Sequence, residues 1–163
     1  MVPVNVKGVA YDISGNPIIL LTDQEDEKVL PIWIGVLEAH AIAVALENIS
    51  ITRPLTHDLM KNICANLGVK ISHVVITDLQ ENTFYAEIYL HQSDKDKEMV
   101  IDSRPSDAVA LALRTAAPVF LSEKLSEHML QIKDLLDEEM SASVTISGIK
   151  IDKDSPSVNL YTR

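Results

Sequence analysis

The chain of 163 residues holds a single cysteine, Cys64, so it can form no intramolecular disulfide and a reducing compartment is the default. Aromatic residues make up only 4%, which means the core must be built from aliphatic side chains. No uncharged apolar run reaches the 18 residues a membrane helix needs, and Met1-Val2-Pro3-Val4-Asn5-Val6-Lys7 lacks a signal-peptide core. The expectation is a soluble, cytoplasmic protein with no membrane partner. Basic residues are scarce as well: 14 Lys and Arg face 24 Asp and Glu, for a formal net charge of −10. That balance argues against loose electrostatic binding of nucleic acid, which relies on many cationic contacts to phosphate. It leaves room for a local basic cleft, or for acids that hold a divalent cation which then meets phosphate. Familiar catalytic signatures are also missing. There is no Gly-rich phosphate loop, no His-Glu-x-x-His, no cysteine pair and no Gly-x-Ser-x-Gly elbow. Any chemistry must come from dispersed acids, histidines and arginines.

Hydrophobic residues, by contrast, reach 47%, rich for a monomer of this size and a reason to expect an oligomer, most simply a homodimer. The length suits one domain, or two small halves sharing a core. The organising stretch is Asp102-Ser103-Arg104-Pro105-Ser106-Asp107, which follows the apolar run Met99-Val100-Ile101 and leads into Ala108-Val109-Ala110-Leu111-Ala112-Leu113-Arg114. Pro105 has the fixed φ of a first helical turn, and Ser106 reads as a cap. The helix that follows is apolar nearly all round and is therefore expected to be buried. Two acids and an arginine at the start of a buried helix are costly unless they are paired or used.

A similar unit occurs earlier. Leu30-Pro31-Ile32-Trp33-Ile34 reads as a strand, Gly35 breaks it, and Glu38 opens Ala39-His40-Ala41-Ile42-Ala43-Val44-Ala45-Leu46. Aligning Glu38 with Asp107 superposes alanines 39, 41 and 43 on 108, 110 and 112. This is either an internal duplication or the common look of Ala-rich helices. A second Arg-Pro, Arg53-Pro54, precedes Leu55-Thr56-His57-Asp58.

Along the chain, residues 2–13 and 18–22 read as a hairpin around Ser14-Gly15-Asn16-Pro17, and 29–34 as the next strand. Helices are expected over 37–48 and, with Thr56 as N-cap and Gly68 beyond its end, over 57–67. Residues 69–79 read as a strand, and Phe84, Ala86, Ile88 and Leu90 alternate with Tyr85, Glu87 and Tyr89 as a half-buried antiparallel strand does. A short strand follows over 118–121. Leu125, Met129, Ile132, Leu136 and Met140 then predict an amphipathic helix over about 123–140, continuous or broken in its middle, with Ser122 as its cap and Glu127, Asp134, Asp137, Glu138 and Glu139 on its acidic side. Val144–Ile151 and 158–161 alternate again. The fold class is α+β: a mixed, largely antiparallel sheet with buried Ala-rich helices. The domain spans 1–125, with a C-terminal helix and β tail at 126–163 packed on it or on a partner subunit.

The candidate residues divide by chemistry. Glu38, Asp102 and Asp107 are candidate ligands for Mg²⁺ or Mn²⁺. Together with His57 and Asp58 they form the candidate catalytic set, in which a carboxylate or histidine serves as general base. Arg53 and Arg104 are candidates for holding phosphate, or for clamping a nearby acid bidentately. Asp58 also suits a helix N-terminus through the helix dipole alone. Glu38 and His40, two residues apart, fall on roughly opposite helical faces and do not easily share one metal. His40 reads as a core or interface histidine, and Cys64 as core packing. His73, His91 and His128 carry little signal.

These motifs resemble the bifunctional nuclease domain family. The matching pieces are Leu30-Pro31-Ile32-Trp33-Ile34-Gly35 with Glu38-Ala39, then Arg53-Pro54-Leu55-Thr56-His57-Asp58-Leu59. Further on come Val75-Ile76-Thr77-Asp78-Leu79, Thr83-Phe84-Tyr85-Ala86 and Asp102-Ser103-Arg104-Pro105-Ser106-Asp107-Ala108. The resemblance covers roughly residues 1–125. It implies an α+β fold, an oligomer, and nuclease activity on DNA and RNA in some members. Two functional expectations follow. The first is a metal-assisted nuclease hydrolysing phosphodiester bonds of DNA or RNA. The second is a non-catalytic oligomeric binding or regulatory module, in which the Arg-Pro motifs are structural clamps.

Overall fold

The structure, a computed structural model, describes residues 1–12, 14–92 and 96–133. Three N-terminal strands come first: β1 (Val2–Tyr11), β2 (Pro17–Thr22) and β3 (Lys28–Trp33). Two helices follow, α1 (Val36–Leu46) and α2 (Thr56–Asn66), then the strands β4 (Val69–Gln80), β5 (Thr83–Gln92) and β6 (Lys97–Ser103). Helix α3 (Pro105–Thr115), strand β7 (Val119–Leu121), the short helix α4 (Glu123–Ser126) and strand β8 (Leu130–Gln131) complete the order. The eight strands form one sheet, β6-β5-β4-β7-β1-β2-β3-β8. Every pairing is antiparallel except β4 with β7. The α+β class, mixed and largely antiparallel, is therefore what the chain adopts.

All three long helices sit over one face of the sheet, with α3 against both α1 and α2. The alanines explain this. Ala39 and Ala41 on α1, and Ala108, Ala110 and Ala112 on α3, are all buried, and small side chains let helix backbones approach each other and the sheet closely. Larger aliphatics fill the layer beneath: Ile19, Leu21, Ile42, Val74, Ile76 and Leu121 are wholly buried. Full burial stabilises each such side chain by roughly 1.5–3 kcal/mol. Strand β2 is buried along its whole length because both its faces are covered. Ile19 and Leu21 face the main core, while Ile18 and Leu20 join Ala10 and Val29 in a smaller cluster against Leu130 and Ile132.

That second cluster accounts for a departure from the expected helix over 123–140. The helix stops at Ser126, and Leu130–Gln131 pairs with Lys28 and Val29 at the open edge of β3. Unpaired edge N–H and C=O groups and an apolar patch compete there with helix continuation, and they win. The remainder of the expected helix and the C-terminal tail lie outside the described residues.

The caps also differ from expectation. Leu55, not Thr56, is the N-cap of α2, and the Asp58 carboxylate accepts the Leu55 N–H at 2.9 Å. Arg104, not Ser106, is the N-cap of α3; Pro105 occupies its first turn and Ser106 is buried. Gly68 has φ +69 just past the end of α2, where the chain must turn left-handed. Cys64 is half-buried rather than in the core. No helix among the described residues is long and apolar enough to cross a membrane.

Candidate functional site

The first turns of α1, α2 and α3 meet at one place. Glu38 comes from the first turn of α1, His57 from that of α2 and Asp107 from that of α3. Helix N-termini carry partial positive charge, so carboxylates are favoured there locally. Arg104, extended at the N-cap of α3 as a residue before proline must be, joins two of these groups. Its Nε donates to Asp107 Oδ2 and its Nη1 to Glu38 Oε1, both at 2.8 Å. The other Asp107 oxygen, Oδ1, lies 3.0 Å from His57 Nε2. The result is a chain of contacts, Glu38–Arg104–Asp107–His57, drawn from positions 38 to 107.

Exposure grades along this chain. The Arg104 side chain is 66% exposed, whereas those of Glu38 and Asp107 are 21% and 25% exposed and His57 is buried. Burial pushes the Asp107 carboxyl up. Hydrogen bonds from Arg104 and His57, and their charge, outweigh it and leave the carboxyl below its ordinary value. The guanidinium of Arg104 is held above its ordinary value, first by Asp107 and then by Glu38. An ionised Asp107 accepts only, so His57 Nε2 carries the hydrogen of that bond and Nδ1 is left as the basic nitrogen. Gly35 belongs to the same design: a Cβ there would collide with the Glu38 carboxylate, which folds back over the start of α1.

Two open clefts flank the Arg104–Glu38 pair, and both residues line each of them. One, of about 620 Å³, is walled by His40, His57, Asp107 and Met60, with Pro54 at its edge. The other, of about 500 Å³, is walled by Trp33, Phe84, Asn82 and Ser106.

Of the residues singled out in the sequence, Glu38, His57, Arg104 and Asp107 are brought together. Asp58 is not part of this group. It points to the other end of α3, where Arg114 Nε donates to its Oδ1 at 2.8 Å. Asp102 is exposed on β6, opposite Glu87 of β5. Strand alternation puts it on the face away from Ser103, whose partner Ala86 lies in the core beneath the helices. Arg53 is exposed in the loop before α2 and makes no ion pair among the described residues, though its neighbour Pro54 edges the larger cleft. Sequence reasoning did not place His40 in the cleft and did not foresee Arg114. The only signal for Arg114 was a charge at the end of a helix otherwise apolar nearly all round.

The donor set does not fit a resident divalent ion as folded. Among the described residues no three His, Cys, Asp or Glu side chains are gathered around one point. The space between the Glu38 and Asp107 carboxylates is taken by the Arg104 guanidinium.

The family model described as the bifunctional nuclease domain matches residues 19–134. The chain belongs to the bifunctional nuclease domain family. It is 41% identical over 143 residues to an uncharacterized protein of Mycobacterium tuberculosis, with 86% of this chain and 84% of that protein covered. It is 26% identical over 110 residues to Bifunctional nuclease 1 of Oryza sativa subsp. indica, and 27% identical over 110 residues to Bifunctional nuclease 2 of Arabidopsis thaliana. In both of these, 67% of this chain matches only 33% of the plant protein. The Arg-Pro-Ser-Asp start of α3, which builds the cluster, and the Arg-Pro before α2 both fall within the family match.

Proposed function

We propose that this chain is a nuclease that hydrolyses phosphodiester bonds of DNA or RNA in the clefts on either side of Arg104. The observation that carries the reading is the Arg104–Asp107–His57 relay at the junction of two open clefts. Arg104 is exposed and bound to acids through only part of its fork, so it has donors left for a phosphate oxygen. Arg53, beside Pro54 at the cleft edge, supplies a second cation. Asp107 fixes the tautomer of His57, and Nδ1 takes the proton of the attacking water or hydroxyl as the new O–P bond forms. The imidazolium then returns that proton to the departing oxygen. A Mg²⁺ or Mn²⁺ requirement belongs to this proposal only if Arg104 first leaves Glu38 and Asp107, because the guanidinium stands where the ion would bind.

The test is cleavage of labelled single- and double-stranded DNA and RNA by highly purified protein, with Mg²⁺, Mn²⁺ or EDTA. His57→Asn and Arg104→Ala variants purified identically run beside it. Wild type should cut and the folded variants should not. Equal cutting by all three assigns the activity to a contaminant and ends the reading. Cutting that survives EDTA removes the metal from it.

A homodimer is part of the same proposal. Leu59, Met60 and Ile63 of α2, Leu67 at its C-cap, and Val36 and Leu37 of α1 are between 40% and 81% exposed, too apolar a surface to leave in water on a helix pair that edges the cleft. A non-catalytic binding module would use the same surface. Sedimentation equilibrium at micromolar concentration tests it: a monomer removes the dimer.

A further inference from the structure

A third cleft, of about 610 Å³, opens between α2 and the beginning of β4, at the opposite end of α3 from the Arg104 cluster. Its cations are Lys61, Lys70 and Arg114, no acid lines it, and its remaining wall is mainly Cys64, Val69 and Ile71. In a chain with a net charge of −10, three cations around one cavity without an acid among its lining residues is a local reversal of sign. Lys61 and Lys70 are exposed and make no ion pair among the described residues. Arg114 is different: its side chain is 5% exposed. Its Nε is bound to Asp58 and its Nη1 to the Ala110 carbonyl. Its Nη2 has no partner, and it is the sole buried side-chain nitrogen or oxygen in that state among the described residues. A buried donor left unmade costs free energy, commonly about 1–3 kcal/mol, so an unpaired one on a residue that lines a cationic cavity points to an acceptor from outside the chain.

We infer that this cleft binds a small organic anion, with its phosphate or carboxylate head on Arg114 Nη2, Lys61 and Lys70 and its apolar body against Val69, Ile71 and Cys64. The cavity is large enough for a molecule of nucleotide size. The site is independent of the nuclease reading and needs no cleavage assay.

Cys64, the only cysteine in the chain, gives a direct readout. The rate at which a thiol reagent modifies it is measured in the full chain with adenosine monophosphate, inorganic phosphate or decanoate added separately. Backbone amide shifts of residues 61–71 are followed in parallel. An organic anion should slow modification about fivefold or more at saturation and shift those amides. Protection by the nucleotide identifies a phosphate head, and protection by decanoate a carboxylate head. Protection by neither organic anion overturns the inference, as does a response to inorganic phosphate alone. The double variant Lys61→Glu, Lys70→Glu changes only exposed side chains and should weaken binding tenfold or more. Unchanged affinity in that variant overturns the site even if Arg114→Lys fails to fold.

Discussion

Helix α3 carries an arginine at each end, and the two are used in opposite ways. Arg104, at the N-cap, is mostly exposed and bridges two acids on different helices. Arg114, in the last turn, is almost wholly covered and clamps one acid, Asp58, at the start of α2. A cation near a helix C-terminus is favoured by the dipole, and Arg114 also bonds a helix carbonyl, so that end is built to hold. A cation at the N-terminus is not favoured by the dipole and is kept there by carboxylates, so that end can exchange partners. Three ion pairs of the same 2.8 Å length, two at Arg104 and one at Arg114, therefore carry different information. The buried one ties α2 to α3, and the exposed pair of bridges at Arg104 sits where a ligand can reach it.

That contrast is tested first at the Arg104 end. His57→Asn should lower cleavage by about 10²–10⁴-fold, the usual worth of a positioned general base, with the fold retained by circular dichroism. Second, Arg114→Ala should destabilise the chain by about 3 kcal/mol in urea unfolding, because it removes a buried partner and orphans Asp58. Arg104→Ala should cost under about 1 kcal/mol, as exposed pairs do, while abolishing cleavage. A reversal of those two costs would break the distinction between clamp and site. Third, Asp58→Ala leaves the more deeply buried Arg114 without its acid and removes the Leu55 cap as well, and should cost about as much as Arg114→Ala, about 3 kcal/mol. Fourth, Gly35→Ala pushes only the flexible end of Glu38 aside. Unfolding should change little, whereas binding of a phosphodiester analogue should change several-fold if Glu38 restrains Arg104.

The smallest effect concerns acid. Asp107, Asp58 and Asp78 all have folded pKa values below the ordinary carboxylate value, Asp78 at about 2 through its bonds from Lys124 and Gln80. For a lowered carboxylate, the stability it lends is complete above the unfolded value near 3.8 and is lost as pH falls through the folded value. Stability should therefore be flat from neutral pH to about 4 and decline below it. Asp78→Asn should shrink that decline slightly and leave cleavage alone. A decline that begins near pH 6 would assign the acid sensitivity to histidines instead.

Much of the fold was legible because the signals were local. The alternation in Phe84–Leu90, the apolar run of Leu30–Ile34, Pro105 at a helix start and Gly68 beyond a helix end each depend on neighbours a few residues away. The Arg-Pro-Ser-Asp motif marked the Glu38–Arg104–Asp107–His57 cluster for the same reason: charge at the mouth of a buried helix is conspicuous in one dimension. The amphipathic spacing after Ser122 does not run on as one helix because Leu125 and Ile132 serve different clusters, a division made by the open edge of β3 rather than by helical period.

Pairing is what the sequence by itself left open. It set the helices, their buried alanine faces and the acids and arginines at their ends, since each follows from side-chain size, periodicity and backbone geometry. Which acid meets which arginine was decided by how α1 and α2 lean on α3. Asp58 went to Arg114, 56 residues away, rather than to Arg53 five residues before it, and Asp102 was turned to the far face by a strand's two-residue period. Contacts between chain segments far apart depend on the angle and offset at which helices pack, and those arise only when the aliphatic core closes.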